Sequence, residues 1–557
     1  MFHPTPRLRR ASFHSLDGQW TVSVNGAKPT SITVPFPPEA PLSGVYAKPL
    51  GTVNLRYQKS FACPNDLTAG RLLLHFGAVD QVARVFLNGR FIGEHEGGYE
   101  AFTLDITDAV RATEENELTV NVTDRLDDAV LPYGKQKVKR GGMWYTPVSG
   151  IWQTVWLESV PETYIRALRV DTEIARDQAS AQVRITAEGV SEGTVFVTAP
   201  DGPLTAPLRD GVALVTLSAP RLWSPEDPYL YEFSMTAGED RVESYFALRS
   251  LTIQTVGGIP RLCLNGKPYF FHGLLDQGYF SGGIFTPASP ACYERDILTA
   301  KSLGFNTLRK HIKVEPEQFY YACDRLGMVV FQDMVNNGRY SFLRDTALPT
   351  LGFKKRSDKR LHRRKTAREA FLRGMEAAVT QLRNHPCVCY WTVFNEGWGQ
   401  FDGDSAYQKL RRLDDTRFID TVSGWFKGAA SDVNSEHIYF KPVKLTYGER
   451  PTVLSEFGGY ACKIKDHAYD PNSSYGYRHF SQQADFEDAL VKLYEEEIIP
   501  AARNGLCAAI YTQLTDVEDE VNGLITYDRA VVKVSPARMI PIAEALQRAV
   551  DHRIPGK

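Results

Sequence analysis

From about residue 15 to residue 160 the apolar positions come in short runs that alternate with polar ones and are cut by turn signals. Arg84-Val85-Phe86-Leu87 leads into Asn88-Gly89 and Phe91-Ile92 leaves it, while Asn25-Gly26 and Gly97-Gly98 punctuate other runs. Asn-Gly tolerates the positive φ that a tight hairpin needs, so this region predicts paired antiparallel strands. A second β-type region runs from Tyr164 to about Thr255. Strict alternation in Ala181-Gln182-Val183-Arg184-Ile185 and in Thr194-Val195-Phe196-Val197, together with its size, predicts one immunoglobulin-like sandwich.

After Asn265-Gly266 the period changes. β-runs now alternate with segments whose apolar residues recur every three or four positions, which is the pattern of a βα series. The candidate strands are Tyr269 to Leu275, Asn306 to His311, Met328 to Asp333, Val388 to Asn395, Phe418 to Ser423, His437 to Phe440, Thr452 to Glu456 and Cys507 to Leu514. Eight parallel strands close a barrel. Ser289 with Pro290 opens one helix that Gly304 ends, Gly327 ends the next, and Phe371, Met375, Val379 and Leu382 form the apolar stripe of a third. A last helix from about Ser535 to Val550 would complete the ring. The dozen residues from Lys441 to Thr452 leave little room for a sixth helix. The expected domains are 1–161, 162–256 and 257–557.

Composition narrows the field. The chain has 557 residues, 43% of them hydrophobic and 23% charged, with a net charge of −2. Such a balance gives no general electrostatic reason to bind nucleic acid or an anionic membrane. The basic start lacks an apolar stretch after it, and no run approaches a membrane span, so a soluble cytoplasmic protein is expected. Eight cysteines are too sparse for a disulfide scaffold. Cys387 and Cys389 read as small buried hydrophobes, the alternative being a metal pair with His385, although a strand converges poorly on a tetrahedral site. The one strong charge run, residues 353–365, reads as a solvated loop or helix face, with contact to nucleic acid, an acidic substrate or a neighbouring subunit as alternatives.

The stretch HPCVCYWTVFNEGWG, residues 385–399, carries Glu396 at the end of the fourth candidate strand, and PTVLSEFGGY, residues 451–460, carries Glu456 at the end of the seventh. In a parallel barrel the C-terminal strand ends form the reactive face. Each glutamate taken alone is as readily an ordinary rim or ion-pair residue. Two facing one pocket suggest glycoside hydrolysis, with one carboxylate as nucleophile and the other, raised in pKa by burial and its neighbour's charge, as the acid.

The sequence resembles glycoside hydrolase family 2, the β-galactosidases, β-glucuronidases and their relatives. The resemblance rests on Leu74 to Asp80, Val85 to Gly89, Gly97-Gly98-Tyr99, Phe102 to Thr107 and Gly150 to Glu158 in the first region, and on Phe394-Asn395-Glu396 and Ser455-Glu456-Phe457-Gly458 in the barrel. It implies a jelly-roll-like first sandwich ahead of the immunoglobulin-like sandwich and the (β/α)8 barrel. It also implies a retaining reaction with Glu396 as acid/base and Glu456 as nucleophile. Asn395 would bond the sugar's 2-hydroxyl, Arg309 would hold the nucleophile ionised, and Tyr439 would donate to it.

Asp276, His311, Trp398 and Trp425 are further rim candidates, each balanced against a purely structural role. Gln513, Asp516, Glu518 and Asn522 form a polar cluster expected to shape one side of the pocket. A tryptophan common among relatives at the eighth strand is replaced by Tyr511-Thr512-Gln513, and no Asn-x-Lys pair for a sugar carboxylate is evident near Asn522, which argues against a glucuronide unless Lys310, Lys313 or the basic run supplies the charge. The expectation is therefore an exo-β-glycosidase of β-galactosidase type, with a β-uronidase second and a non-catalytic carbohydrate-binding protein third. It acts on carbohydrate without a cofactor or metal, and a homo-oligomer is compatible with it.

Overall fold

The hairpin grammar of the N-terminal region folds as expected. In the computed structural model, which describes residues 3–64, 67, 70–353, 357–359, 361–426, 428 and 430–551, a six-stranded sheet runs in the order Thr30–Val34, Gly18–Val24, Val53–Ala62, Glu115–Asp124, Val82–Leu87, Arg90–Glu96. It faces a four-stranded sheet of Phe13–Ser15, Val155–Val160, Arg71–Phe76 and Phe102–Asp105. Leu87 pairs with Arg90 across Asn88 and Gly89, whose φ values of 53° and 79° are those of the expected tight turn. Trp20, Leu55, Tyr57, Leu74, Phe76, Val85, Val120 and Leu157 fill the space between the sheets.

The second sandwich packs a three-stranded sheet, Ala167–Ile174, Ser180–Glu188 and Val212–Ser218, on a four-stranded one, Gly202–Leu208, Gly193–Ala199, Tyr231–Ala237 and Asp240–Phe246. Alternation decides its core: Val183, Ile185, Val195 and Val197 point inward, while Phe196 and Leu214 stay exposed. A hairpin of Leu251–Val256 and Ile259–Leu264 then straddles residue 256, and Leu251 and Leu262 already pack with the barrel core.

The barrel strands are β1 Phe271–Asp276, β2 Thr307–Lys310, β3 Val329–Asp333, β4 Val388–Asn395, β5 Phe418–Ser423, β6 Asn434–Ile438, β7 Thr452–Phe457 and β8 Leu506–Tyr511. All pairings are parallel, and the ladder runs β5-β4-β3-β2-β1-β8-β7-β6. Between β5 and β6 the ring is drawn together by Asp432, whose N–H donates to Ile419 O at 3.0 Å and whose carboxylate accepts from Ile419 N at 2.8 Å. β4 is buried at every position, as a strand covered by core on one face and helices on the other must be. Phe371, Met375, Val379 and Leu382 line the buried face of the helix Lys365–Leu382.

β6 differs from expectation. It starts at Asn434 and ends at Ile438, so Tyr439 lies just beyond the strand. As the short connection required, no helix forms between β6 and β7. Cys387 and Cys389 are buried, and His385 hydrogen-bonds Asp324 through Nδ1 at 2.6 Å, so this strand start is packing and not a metal pair. Of the basic run, residues 354–356 and 360 lie outside the described residues; Asp358 caps the turn at Gly403, its carboxylate accepting from Gly403 N at 2.9 Å. No helix of the described residues is long and apolar enough to cross a membrane.

Candidate active site

β2, β3, β4 and β7 deliver charged or polar side chains to one point at the C-terminal mouth of the barrel. Arg309 organises them. Its guanidinium grips Asp333 through two bonds of 3.0 Å, donates from Nη1 to Glu456 Oε1 at 2.9 Å, and from Nη2 reaches Asn395 Oδ1 at 3.0 Å and Ser423 Oγ at 3.1 Å. His311 contacts Asp333 Oδ2 at 3.1 Å. Every donor of this buried guanidinium is engaged, which fixes its plane and, through it, the positions of two strand-end side chains.

Glu456 sits where β7 departs from regular pairing with β8. Burial pushes its carboxyl up, but His437, Arg309, His311 and the Tyr439 hydroxyl together outweigh burial and hold it down at about 2. Tyr439, just past β6, donates to Glu456 Oε2. Gly458 follows with φ of 80°, and a Cβ there would come 2.4 Å from the Tyr511 ring, so only glycine lets the chain turn off the strand at this point.

Glu396 follows β4 in the left-handed region, φ 51°, with its N–H on Ser423 O at 3.1 Å. That turn lifts its carboxylate over the mouth. His437 Nδ1 lies 2.8 Å from Glu396 Oε1, and its Nε2 is 3.6 Å from Glu456 Oε1. One oxygen of Glu396, one of Glu456 and a His437 nitrogen all fall within 4.8 Å of each other. Among the described residues no other three His, Cys, Asp or Glu side chains gather so closely. The ring is hydrogen-bonded to Glu396, whereas Glu456 is hydrogen-bonded to Arg309 and Tyr439.

Asn395 has a defined orientation. Its Oδ1 accepts from both Arg309 and Ser423 Oγ, so its Nδ2 faces away from them, buried and without a partner among the described residues. An amide N–H held this way is a donor waiting for an acceptor.

The N-terminal sandwich roofs the mouth. Residues 129–149 cross from it to the barrel: Tyr133 OH bonds Gly338 O at 2.7 Å, Thr146 N bonds Glu518 Oε1 at 3.0 Å, Arg140 pairs with Asp519 at 3.0 Å and Tyr145 OH donates to Glu520. This segment carries Lys135 inward. Its ammonium lies 5.1 Å from the Trp398 ring centroid, and its pKa is lowered by burial and partly restored by the charges of Glu520, Glu456 and Glu396.

Other expected positions turn out differently. Asp276 ends β1, and its carboxylate is engaged by Lys310 Nζ at 2.6 Å and Gly278 N at 2.9 Å in a buried ion pair. Asp516 is paired through Oδ1 alone, with Lys533 at 2.6 Å and Gly523 N at 2.8 Å. Trp398 stacks on Trp144, centroids 5.2 Å apart at 22°, so one indole face is covered and not a free sugar platform. Trp425 donates to Asp345 O at 3.3 Å and meets His437 edge-on. Gln513 accepts from Gln277 at 2.9 Å and keeps a buried Nε2 without a partner among the described residues. The cluster of Glu518 and Asn522 serves the seam: Glu518 binds the roof, and Asn522 donates to Glu520 at 2.9 Å.

Asp333, Ser423, His437, Glu520 and Lys135 were not singled out from the sequence. Asp333 and Ser423 end their strands, the same signal that marks Glu396. Lys135 carries no such mark.

Fold and site together define a parallel-barrel protein with a paired-glutamate pocket roofed by a β-sandwich. The chain belongs to glycosyl hydrolase family 2. Residues 260–461 match the family's TIM barrel domain, 45–146 its galactose-binding domain-like region and 163–249 a further domain of glycosyl hydrolases family 2. The chain is 26% identical over 432 residues to a β-galactosidase of Aeromonas hydrophila subsp. hydrophila, covering 72% of this chain and 39% of that protein. It is 24% identical over 434 residues to a β-glucuronidase of Bacteroides fragilis, covering 72% of this chain and 59% of that one. The chain thus spans less than two thirds of these relatives. A solved β-D-glucuronidase of Dictyoglomus thermophilum superposes with a TM-score of 0.77 at 19% identity, covering 98% of both chains, and shares the fold.

Proposed function

We propose that this protein is a retaining exo-β-glycosidase that hydrolyses terminal β-linked sugars by double displacement. One observation carries the reading: a Glu396 oxygen and a Glu456 oxygen lie within 4.8 Å of each other at the C-terminal mouth of the barrel. That is the short separation of a nucleophilic mechanism, since an inverting pair stands roughly 6.5–9.5 Å apart to admit a water. Glu456, held ionised near pKa 2, attacks the anomeric carbon, and Glu396 protonates the departing oxygen. A glycosyl ester forms on Glu456. Water, deprotonated by the now anionic Glu396, then releases the sugar and restores both groups. Asn395 Nδ2 suits a bond to the 2-hydroxyl that tightens as the ring flattens toward the transition state. The sandwich roof closes one side of the pocket, which favours cleavage at a chain end.

For the sugar, a β-galactoside is the first reading. Lys135 favours a second, a β-uronide, because its buried ammonium has no carboxylate within 4.0 Å among the described residues and projects toward the catalytic carboxylates. Glu456→Gln and Glu396→Gln test the mechanism. Both should lose nearly all turnover, at least about 10³-fold for a group acting covalently or as acid/base, and azide should rescue Glu396→Gln on an aryl glycoside. Full rates in either variant would remove that residue from its role. A screen of aryl β-galactoside, β-glucuronide, β-galacturonide, β-glucoside, β-mannoside and α-arabinoside decides the sugar.

A further inference from the structure

His437 stands between the two glutamates, and beyond its charge on Glu456 the roles above leave its contact with Glu396 unused. Its ring is seated with unusual care. Gly424, φ 80°, lies against it so closely that a Cβ there would stand 2.8 Å from its Cγ, and Trp425 and Tyr439 flank it edge-on with centroids 5.6 and 6.2 Å away. Nε2 lies 3.5 Å from Arg309 Nη1, a group that can only donate. A proton on Nδ1 points at Glu396 Oε1 at 2.8 Å, while Nε2 also lies 3.6 Å from Glu456 Oε1.

We propose that His437 is a positioning residue for the acid/base carboxylate, a proposal that rests on the retaining reading of the site. Nδ1–H ties down Oε1 of Glu396 and leaves Oε2 to face the leaving oxygen. The tie also changes strength during the reaction. As Glu456 attacks, its negative charge is consumed in the new ester bond, while Glu396 gives its proton to the aglycone oxygen and becomes a carboxylate. Negative charge thus passes from one side of the ring to the other. A hydrogen bond to a carboxylate is stronger than one to a neutral acid, so the Nδ1–H contact favours the transition state over the ground state.

The contribution matters only where the aglycone needs a proton. His437→Asn places an amide N–H where Nδ1 was, and His437→Gln places one nearer Nε2. The two polar variants are read on methyl and 2,4-dinitrophenyl β-glycosides of the sugar the screen selects, with thermal melting measured in parallel. In His437→Gln, kcat/KM on the methyl glycoside should fall about 10- to 100-fold, the size of one charge-assisted hydrogen bond. The fall should be at least about tenfold smaller on the dinitrophenyl glycoside, and His437→Asn should recover most of the methyl-glycoside rate. Equal losses on both substrates, or no difference between Asn and Gln at matched melting temperature, overturn the proposal and reduce the ring to packing. Should Glu396→Gln itself turn over methyl glycoside at full rate, the retaining reading fails first and independently of His437.

Discussion

Arg309 and Lys310 are neighbours on β2, both buried, both cations among carboxylates, yet they point to opposite faces of the strand. Lys310 turns outward into a closed network: Asp276 at 2.6 Å, Glu315 at 3.0 Å, and the Phe319 ring 4.2 Å away, with Lys313 sharing Glu315 at 2.9 Å. Arg309 turns inward, and its network ends in groups with capacity left over: Asn395 Nδ2 without a partner, Glu456 beside Glu396, and His437 between them. Buried charge is therefore not what marks the site. What separates these two networks is that the Arg309 one stops short of satisfying its own members.

The comparison can be broken or sharpened by experiment, beginning with its strongest contrast. Arg309→Lys removes the fork that holds Asp333, Glu456 and Asn395 in one plane, and should cost on the order of 10²- to 10³-fold in kcat/KM. Lys310→Met should instead leave kcat/KM of the folded enzyme within about threefold while lowering unfolding stability by about 3–5 kcal/mol, the cost of orphaning a buried carboxylate. Similar kinetic losses in both variants would erase the distinction.

Acid should separate the networks as well. Glu456 is depressed to about 2, so its ionised carboxylate stabilises the fold above the ordinary carboxylate range, and that contribution fades as pH falls from about 4.5 through about 2. The melting-temperature gap between wild type and Glu456→Gln should accordingly shrink on acidification across that window, as denaturation scans at several pH values would record. A constant gap would place the depression elsewhere.

Smaller effects fall on the roof. Lys135→Met should raise KM for an aryl β-uronide about tenfold, as expected for one lost ionic contact, while KM for the matching β-galactoside moves far less. Equal shifts would make Lys135 a general pocket wall. Tyr145→Phe cuts one hydrogen bond across the sandwich and barrel, at Glu520, and should cost about 1–2 kcal/mol in stability or transition-state binding.

The barrel was legible wherever its strands are buried on both faces. β4 takes up Val388–Asn395 as expected, because a strand covered on two sides has little polar alternation to blur it, and β5 takes up Phe418–Ser423 although it carries Asp420, Thr421 and Ser423. β6 was misplaced by its own polarity: Asn434-Ser435-Glu436 reads as a loop, and of the strand's first four residues His437 is the one that meets Glu396. Strand ends drew attention to Glu396 and Glu456 as a pair, and the resemblance to Asn395, Arg309 and Tyr439. Asp276 ends β1 and Asp516 lies in the polar cluster after β8, and a sequence does not show that Lys310 and Lys533 pair with them. Lys135 and Tyr145 meet the barrel across hundreds of residues of chain, a contact no local pattern announces.

The roof segment, residues 129–149, divides the pocket's ancestry. On the proposed reading, bond breaking belongs to the barrel's strand ends, whereas the wall that would meet the incoming sugar is partly written in another domain. Changes in that one loop would then retune which glycoside is accepted while Glu396 and Glu456 stay untouched, and a chimera carrying a different sandwich would be expected to inherit its donor's taste in substrates with this barrel's chemistry.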